Sequence, residues 1–375
     1  MVAGRASCLL RRAGVFKAAM ASLMGLLAVG LPAPRAAAQS VPRYLYVASE
    51  RNNMVSMFNV NSTDGTLSDN GTVSTAANPV SIVTNTVSGG TFAYVVNNGN
   101  NTIGIYKVSV SKPGKLVLKF TKSVLGNPKS IYFIPSGTLK GKFAYVTSYS
   151  SSSVQIYKVS STDGSLSLRK TQTFPGGVTE VAFSAHGSNA YVQVAEGGAD
   201  YPIYVCTISS TDGSLVKRSE CAESIMYQGF HVTSTNVYAN FKDGIAVWAR
   251  SGNTLTHTSG DQMFGEAFTG DRLVVEPQGK YLYRDAGGVG SIVVCWIDSE
   301  GMIDWAQWAN ANSDYAMGIT AEPSGQYAYV VGKDNDNLTA YRIVRADPPF
   351  WGGLEEIQLV DLTQGSSPSS IALAP

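Results

Sequence analysis

Cysteine and histidine are scarce in this chain, which holds four of the first and three of the second in 375 residues. His186 and His257 have no Cys, Asp or Glu at metal-ligand spacing, so a structural zinc site is excluded and no metal or cofactor is expected. Charge is also sparse, at 15% of residues with a net +1. No contiguous basic cluster stands in the body of the chain, which argues against nucleic acid as a partner. Past the first forty residues there is no apolar run long enough to span a membrane. A Gly-x-Ser-x-Gly elbow is missing, so no serine nucleophile announces itself. Asp334-Asn335-Asp336-Asn337 begins like a calcium loop but lacks the glycine and distal glutamate such a loop needs, and reads as a plain turn.

The one concentrated apolar stretch lies at the start. Arg5, Arg11, Arg12 and Lys17 form a basic head, Ala18 to Leu31 an apolar segment too short to span, and Ala36-Ala37-Ala38 a small-residue cleavage site. Residues 1–38 are therefore expected to be a signal peptide and the protein secreted or periplasmic. Three cysteines follow the leader. Cys206 and Cys221 flank the turn Ser210-Thr211-Asp212-Gly213 and are expected on one face of adjacent strands, offset diagonally, so a disulfide between them stays open. Cys295 is expected to be a buried thiol.

What the chain has in abundance is repetition. A short aromatic strand recurs as YLYVAS, FAYVVN, FAYVTS, AYVQVA, VYANF, YLYRDA and YAYVVG, carrying Tyr46, Tyr94, Tyr145, Tyr191, Tyr238, Tyr283 and Tyr329. Their spacing is that of a four-stranded propeller blade. A second, alternating strand and a hairpin with glycine follow each copy, with Asp-Gly at Asp64, Asp163 and Asp212, where both residues tolerate the positive φ that suits strand twist. In the seventh copy the hairpin is longer and runs through Pro348-Pro349. A short strand, often led by proline, completes each unit. One unit cannot bury both of its faces, so copies must stack, and radial closure leaves no long edge exposed. Residues 39–375 are thus expected to form an all-β, seven-bladed β-propeller with four-stranded antiparallel blades. The chain starts mid-repeat and ends on PSSIALAP, the strand its first blade lacks, so the C-terminal strand should complete blade one. A monomer is expected.

The YV-[TSN]-N strands, the DG-[ST]-L hairpins and the turns IPSG, EPSG and EPQG resemble the lactonase-type, or YVTN-repeat, propellers, the family of 6-phosphogluconolactonase. The resemblance covers nearly all of residues 39–375 and implies lactone hydrolysis, a carboxylic ester hydrolysis. Such members carry a His near the start of the third-blade inner strand, an Arg-His pair in the fourth, a Glu after the fourth-blade tyrosine strand, Glu-x-His in the fifth and an Arg in the seventh. The corresponding positions hold Lys129, Thr179-Glu180, Glu196, Gly229-Phe230-His231 and Met317. Only His231 matches in register, and Glu196 stands one residue out of it.

Two loop sets should surround one mouth of the channel and place Arg51, Tyr149, Gln228, Arg284, Asp285 and Lys333 there as ligand-binding candidates. Glu196 or Glu180 could serve as base, Lys129 as oxyanion partner, and His231 beside them. Each has a plainer reading: His231 as a structural histidine, Glu196 as a solvated carboxylate, Lys129 and Glu180 as an ion pair, Arg284-Asp285 as charges facing water. Two functions follow. One is a secreted propeller binding a small molecule or a protein partner at the mouth; the other is an extracytoplasmic lactone hydrolase.

Overall fold

A computed structural model describes residues 43–196, 201–221, 229–241, 244–258, 262–263, 272–286, 290–313, 315–345 and 353–375. The expected leader at 1–38, Gln228 and the hairpin through Pro348-Pro349 lie outside these residues.

Seven antiparallel sheets follow one another along the chain. Blade 2 is Pro79–Val87, Gly90–Asn97, Thr102–Val108 and Leu116–Ser123. Blade 3 is Pro128–Phe133, Phe143–Ser148, Ser153–Val159 and Leu166–Thr173. Blade 4 is Gly177–Phe183, Asn189–Ala195, Ile203–Ile208 and Leu215–Cys221. Blade 5 is Phe230–Val232, Asn236–Phe241, Gly244–Ser251 and Thr254–His257, with Gln262–Met263 also pairing its third strand. Blade 6 is Leu273–Val275, Tyr281–Ala286, Ser291–Ile297 and Ile303–Asn310. Blade 7 is Ala316–Ala321, Tyr327–Gly332, Asn337–Val344 and Gly353–Asp361.

Blade 1 takes its outer three strands from Tyr44–Ser49, Met54–Val60 and Leu67–Ser74, and its inner strand from Pro368–Ala374 at the other end of the chain. The inner strands touch in cyclic order, with Pro368–Ala374 lying between those of blades 7 and 2. The ring therefore closes as the sequence predicts.

Apolar side chains alternate onto both faces of each blade, and the buried ones form seven clusters, one at each junction. At the seam, Tyr329, Val331 and Leu338 of blade 7 meet Leu45, Val47 and Phe58 of blade 1. Burial of such surfaces is the main stabilising term.

The repeated tyrosine and the repeated glycine turn out to be partners. Tyr46, Tyr94, Tyr145, Tyr238 and Tyr329 each donate a phenolic hydrogen bond to the hairpin carbonyl of the next blade. The acceptors are Gly114, Gly164, Gly213, Gly301 and Gly65, at 2.7 to 3.1 Å. Burial pushes all five phenols well above the usual tyrosine range, so they remain donors. In blade 4 the bond differs: Arg250 Nε of blade 5 donates to the Tyr191 hydroxyl at 2.6 Å. Tyr145→Phe would strand the buried Gly213 carbonyl, an expected cost of about 1–2 kcal/mol. Urea unfolding would show this as a lower midpoint with an unchanged slope; an unaltered midpoint would mean the clasp contributes nothing.

Only the glycine of each Asp-Gly hairpin is left-handed, with Gly164 at φ 71° and Gly213 at φ 76°. The aspartates, which could tolerate it, are not. Each instead folds its carboxylate onto the backbone two residues on, as Asp163 does by accepting from Ser165 N and Oγ at 3.1 and 2.8 Å. An added Cβ at Gly164 would lie 2.7 Å from the Phe92 ring, so glycine is also needed for close approach.

The opposite face has its own clasps. Asn53, Asn101 and Asp336, at positive φ between second and third strands, accept from the backbone N–H of Asn78, Asn127 and Ser367, where the next inner strand begins. These bonds measure 2.7 to 2.9 Å and fix where each inner strand enters the channel.

Cys206 and Cys221 do not bridge. A bulge between Val205 and Cys206 changes the phase, so Cys206 pairs with Lys217 while Cys221 pairs with Ile203. The two thiols lie three ladder steps, about 10 Å, apart, beyond disulfide reach. They face different junctions, Cys206 toward blade 3 and Cys221 toward blade 5. Cys295 is a buried thiol pushed up to about 12 by its burial.

Candidate functional site

A recurring irregularity builds the channel mouth. In blades 1, 2, 3, 4 and 7 the ladder between inner and second strand skips one residue near the start. The skipped residues are Ser369, Val80, Lys129, Thr179 and Met317. Such a bulge leaves its residue unpaired and re-aims the side chain. All five line one hollow of about 250 Å³ on the axis.

The same hollow is lined by Glu50, Asn78, Asn98, Asn127, Glu180 and Arg272. A second, more apolar hollow of about 420 Å³ includes Val181, Phe183, Phe230, His231, Leu273 and Ile371. Tyr132, Glu180, Arg272 and Met317 line both and form the neck between them.

The neck concentrates the site's electrostatics. Tyr132 has its phenol pushed far up, first by burial and next by the Glu180 carboxylate, with the Arg272 guanidinium opposing. Tyr132 is therefore a neutral donor beside one carboxylate and one cation. Glu180 Oε2 accepts from Phe230 N at 3.3 Å, which ties blade 4 to blade 5. Asp285 Oδ1 accepts from Arg272 N at 3.0 Å and holds the segment that carries Arg272.

His231 lines the apolar hollow, where burial pulls its imidazole down to about 4. It is neutral near pH 7, so it can accept or donate a hydrogen bond but brings no charge.

Of the sequence-predicted residues, Lys129 and Glu180 meet at the hollow, and His231 lies in the adjoining one. Glu196 lines neither. Its carboxylate accepts from the Tyr204 hydroxyl on the third strand of blade 4, away from the axis. Tyr149 stands 40% exposed at the rim, with the Lys129 ammonium 5.7 Å from its ring centre and Gly177 against it. Lys333 pairs with Glu50 at 3.4 Å across the seam. Arg51 is exposed and touches the seam through its backbone N–H to Ser366. Arg284 and Asp285 do not face water: they are 0% and 4% exposed, inside blade 6, and Arg284 donates to the Gly244 carbonyl at 3.2 Å.

Arg272, Tyr132 and Asn98 escaped the sequence reading. Arg272 stands just ahead of a strand whose apolar pattern hid it. Its signal was positional, since it precedes Leu-Val-Val much as Lys129 precedes Ser-Ile-Tyr.

Residues 33–183 match the family model for the lactonase, 7-bladed beta-propeller. No curated protein matches the chain. Among solved structures, a protein from Lactobacillus plantarum superposes with a TM-score of 0.73 at 15% identity, over 90% of this chain and 100% of that one. A Bacteroides fragilis protein, provisionally assigned as a 6-phosphogluconolactonase, gives 0.71 at 15%, over 91% and 100%. The periplasmic gluconolactonase of Pseudomonas aeruginosa gives 0.72 at 16%, over 88% and 99%. At such identities the likeness is one of fold.

Proposed function

We propose that this seven-bladed propeller, whose residues 33–183 match the lactonase model, works outside the cytoplasm, after removal of residues 1–38, binding a small hydroxylated acid or lactone at the channel mouth. One observation carries this reading: Lys129, Glu180 and Arg272, from three different blades, converge with neutral Tyr132 on a single hollow. Two cations suit a carboxylate or a carbonyl oxygen. Glu180 and the Asn78 side-chain amide suit hydroxyl groups, while the Asn98 amide is held by Asn127 and Pro128 and shapes the wall. The gluconolactonase neighbours support this ligand class, and the periplasmic one supports the location.

The same convergence favours a second reading, lactone hydrolysis. Glu180 would take a proton from the attacking water while Lys129 and Arg272 stabilise the developing oxyanion; its collapse breaks the ring acyl C–O bond, and Glu180 returns the proton to the leaving hydroxyl. Glu196 has no part in it, being held by Tyr204.

Calorimetric titration with gluconate, and pH-stat assay with a panel of aldonolactones, test both. Arg272→Ala is expected to weaken binding about 10- to 100-fold, the range for a lost charge-assisted hydrogen bond. Turnover that collapses in Glu180→Gln while gluconate still binds establishes hydrolysis. If neither wild-type binding nor turnover is measurable with any member of the panel, both readings fail.

A further inference from the structure

The near-zero net charge hides a sharp segregation. Between Thr102 and Gly177, which span most of blade 2 and all of blade 3, the sequence holds eleven Lys and Arg against a single acid, Asp163. After Gly177 it holds ten basic against 23 acidic residues. The basic residues are spaced along strands and hairpins, so no run of them shows in the sequence. Folding gathers them.

Lys129 belongs to the mouth. Of the other ten, Lys142, Lys158 and Arg169 line one groove of about 650 Å³ with Ser160, Ser210 and Thr211, on the face that carries the hairpins. No carboxylate lines it. A second groove beside it, of about 840 Å³, is lined by Lys107 and Val110 of the blade 2 hairpin region. The two are continuous, because Gly89 of the second groove donates its N–H to Ser161 of the first at 2.8 Å. Among the described residues, none of these ten cations reaches a carboxylate. The ion pairs at Lys217, Lys333, Arg342 and Arg345 all lie in other blades.

Exposed apolar side chains are interleaved with these cations. Val110, at the hairpin tip next to Lys112, is 90% exposed. Leu118 and Phe120 flank Lys119, and Leu168 precedes Arg169, all of them exposed. An acidic polysaccharide or a nucleic acid would need cations and hydrogen-bond donors but no projecting valine. A lipid surface uses both, headgroup charge for the lysines and the acyl boundary for the apolar tip.

We propose that the hairpin face of blades 2 and 3 docks on an anionic lipid surface, with Val110 inserting and Lys142, Lys158 and Arg169 pairing with headgroup phosphates. The mouth lies on the opposite face and would point away from the lipid. This is independent of what the mouth binds.

Cosedimentation of the purified chain with phosphatidylcholine vesicles, with and without one third phosphatidylglycerol, tests it. Binding is expected only to the anionic vesicles and should fade as salt shortens the Debye length. Lys142→Glu/Lys158→Glu/Arg169→Glu, at three exposed sites, should weaken it about 100-fold or more, with an unchanged melting curve. Val110→Ser, which leaves the charge unchanged, should weaken vesicle binding but not retention on a dextran sulfate column. Equal binding to both vesicle types, no binding to either, or vesicle binding unaffected by these variants would overturn the proposal. Retention by dextran sulfate or DNA without vesicle binding would overturn it in favour of a polyanion.

Discussion

Deleting Pro368–Pro375 is expected to abolish the fold rather than merely weaken it. Those residues are the inner strand of blade 1, paired with Tyr44–Ser49 over its full length and packed against blades 7 and 2. Without them blade 1 loses its channel strand, Leu45 and Val47 of the seam core lose Ile371 and Leu373, and the ring opens. An open ring also exposes strand edges that pair with other chains. A domain's whole stability is of the order of 5–15 kcal/mol, less than the loss of a buried strand and two junctions removes. The truncated chain should show no cooperative melt and should elute as aggregate in size exclusion. Recovery of a sharp melt on adding the peptide PSSIALAP in trans would pin the effect on the strand itself. A truncated chain that melts like the intact one would show that closure does not need the seam.

The second large effect is a loss of stability in mild acid. The imidazole of His231 falls from its ordinary 6.5 to about 4 because it is buried. In the unfolded chain it takes up its proton near 6.5, and in the folded chain only near 4. Between those values the unfolded state binds more protons, so stability falls as pH falls through this window and levels off below it. A shift of that size corresponds to a loss of up to about 3 kcal/mol. Urea unfolding at steps from pH 7 to pH 4 would measure it, with His231→Gln as the reference. The difference between the two curves should be constant above pH 7 and shift by that amount as the pH falls to about 4. Parallel curves would mean that His231 titrates normally.

The architecture was legible because its signals repeat. Seven tyrosine strands, glycine hairpins and a chain that begins mid-repeat fix the number of blades and the seam. What periodicity could not show is where the period breaks. A bulge shifts alternation by one residue, and bulges occur at the start of the inner strand in five blades. That shift turns Lys129, Thr179 and Met317 into the hollow, and another separates Cys206 from Cys221. The family resemblance works by position rather than by side-chain type, and three of the positions it points to, Lys129, Glu180 and Met317, line the hollow. A fourth, Glu196, lines neither hollow and accepts from Tyr204 on its own blade. Arg272 was invisible to both approaches, since it has no counterpart in the family pattern and enters from blade 6. Likewise, counting charges over the whole chain concealed their separation between blades.

The seam has a consequence in time as well as in space. Tyr44 and Ala374 lie side by side in one ladder although the whole sequence separates them. Blades 2 to 7 can pair locally as they are made, but blade 1 waits for the last strand. A contact between such distant residues carries the largest loop-closure cost in the molecule and forms late. A chain that still lacks this strand therefore stays open. Arrival of the strand Pro368–Ala374 is itself the trigger for locking the ring.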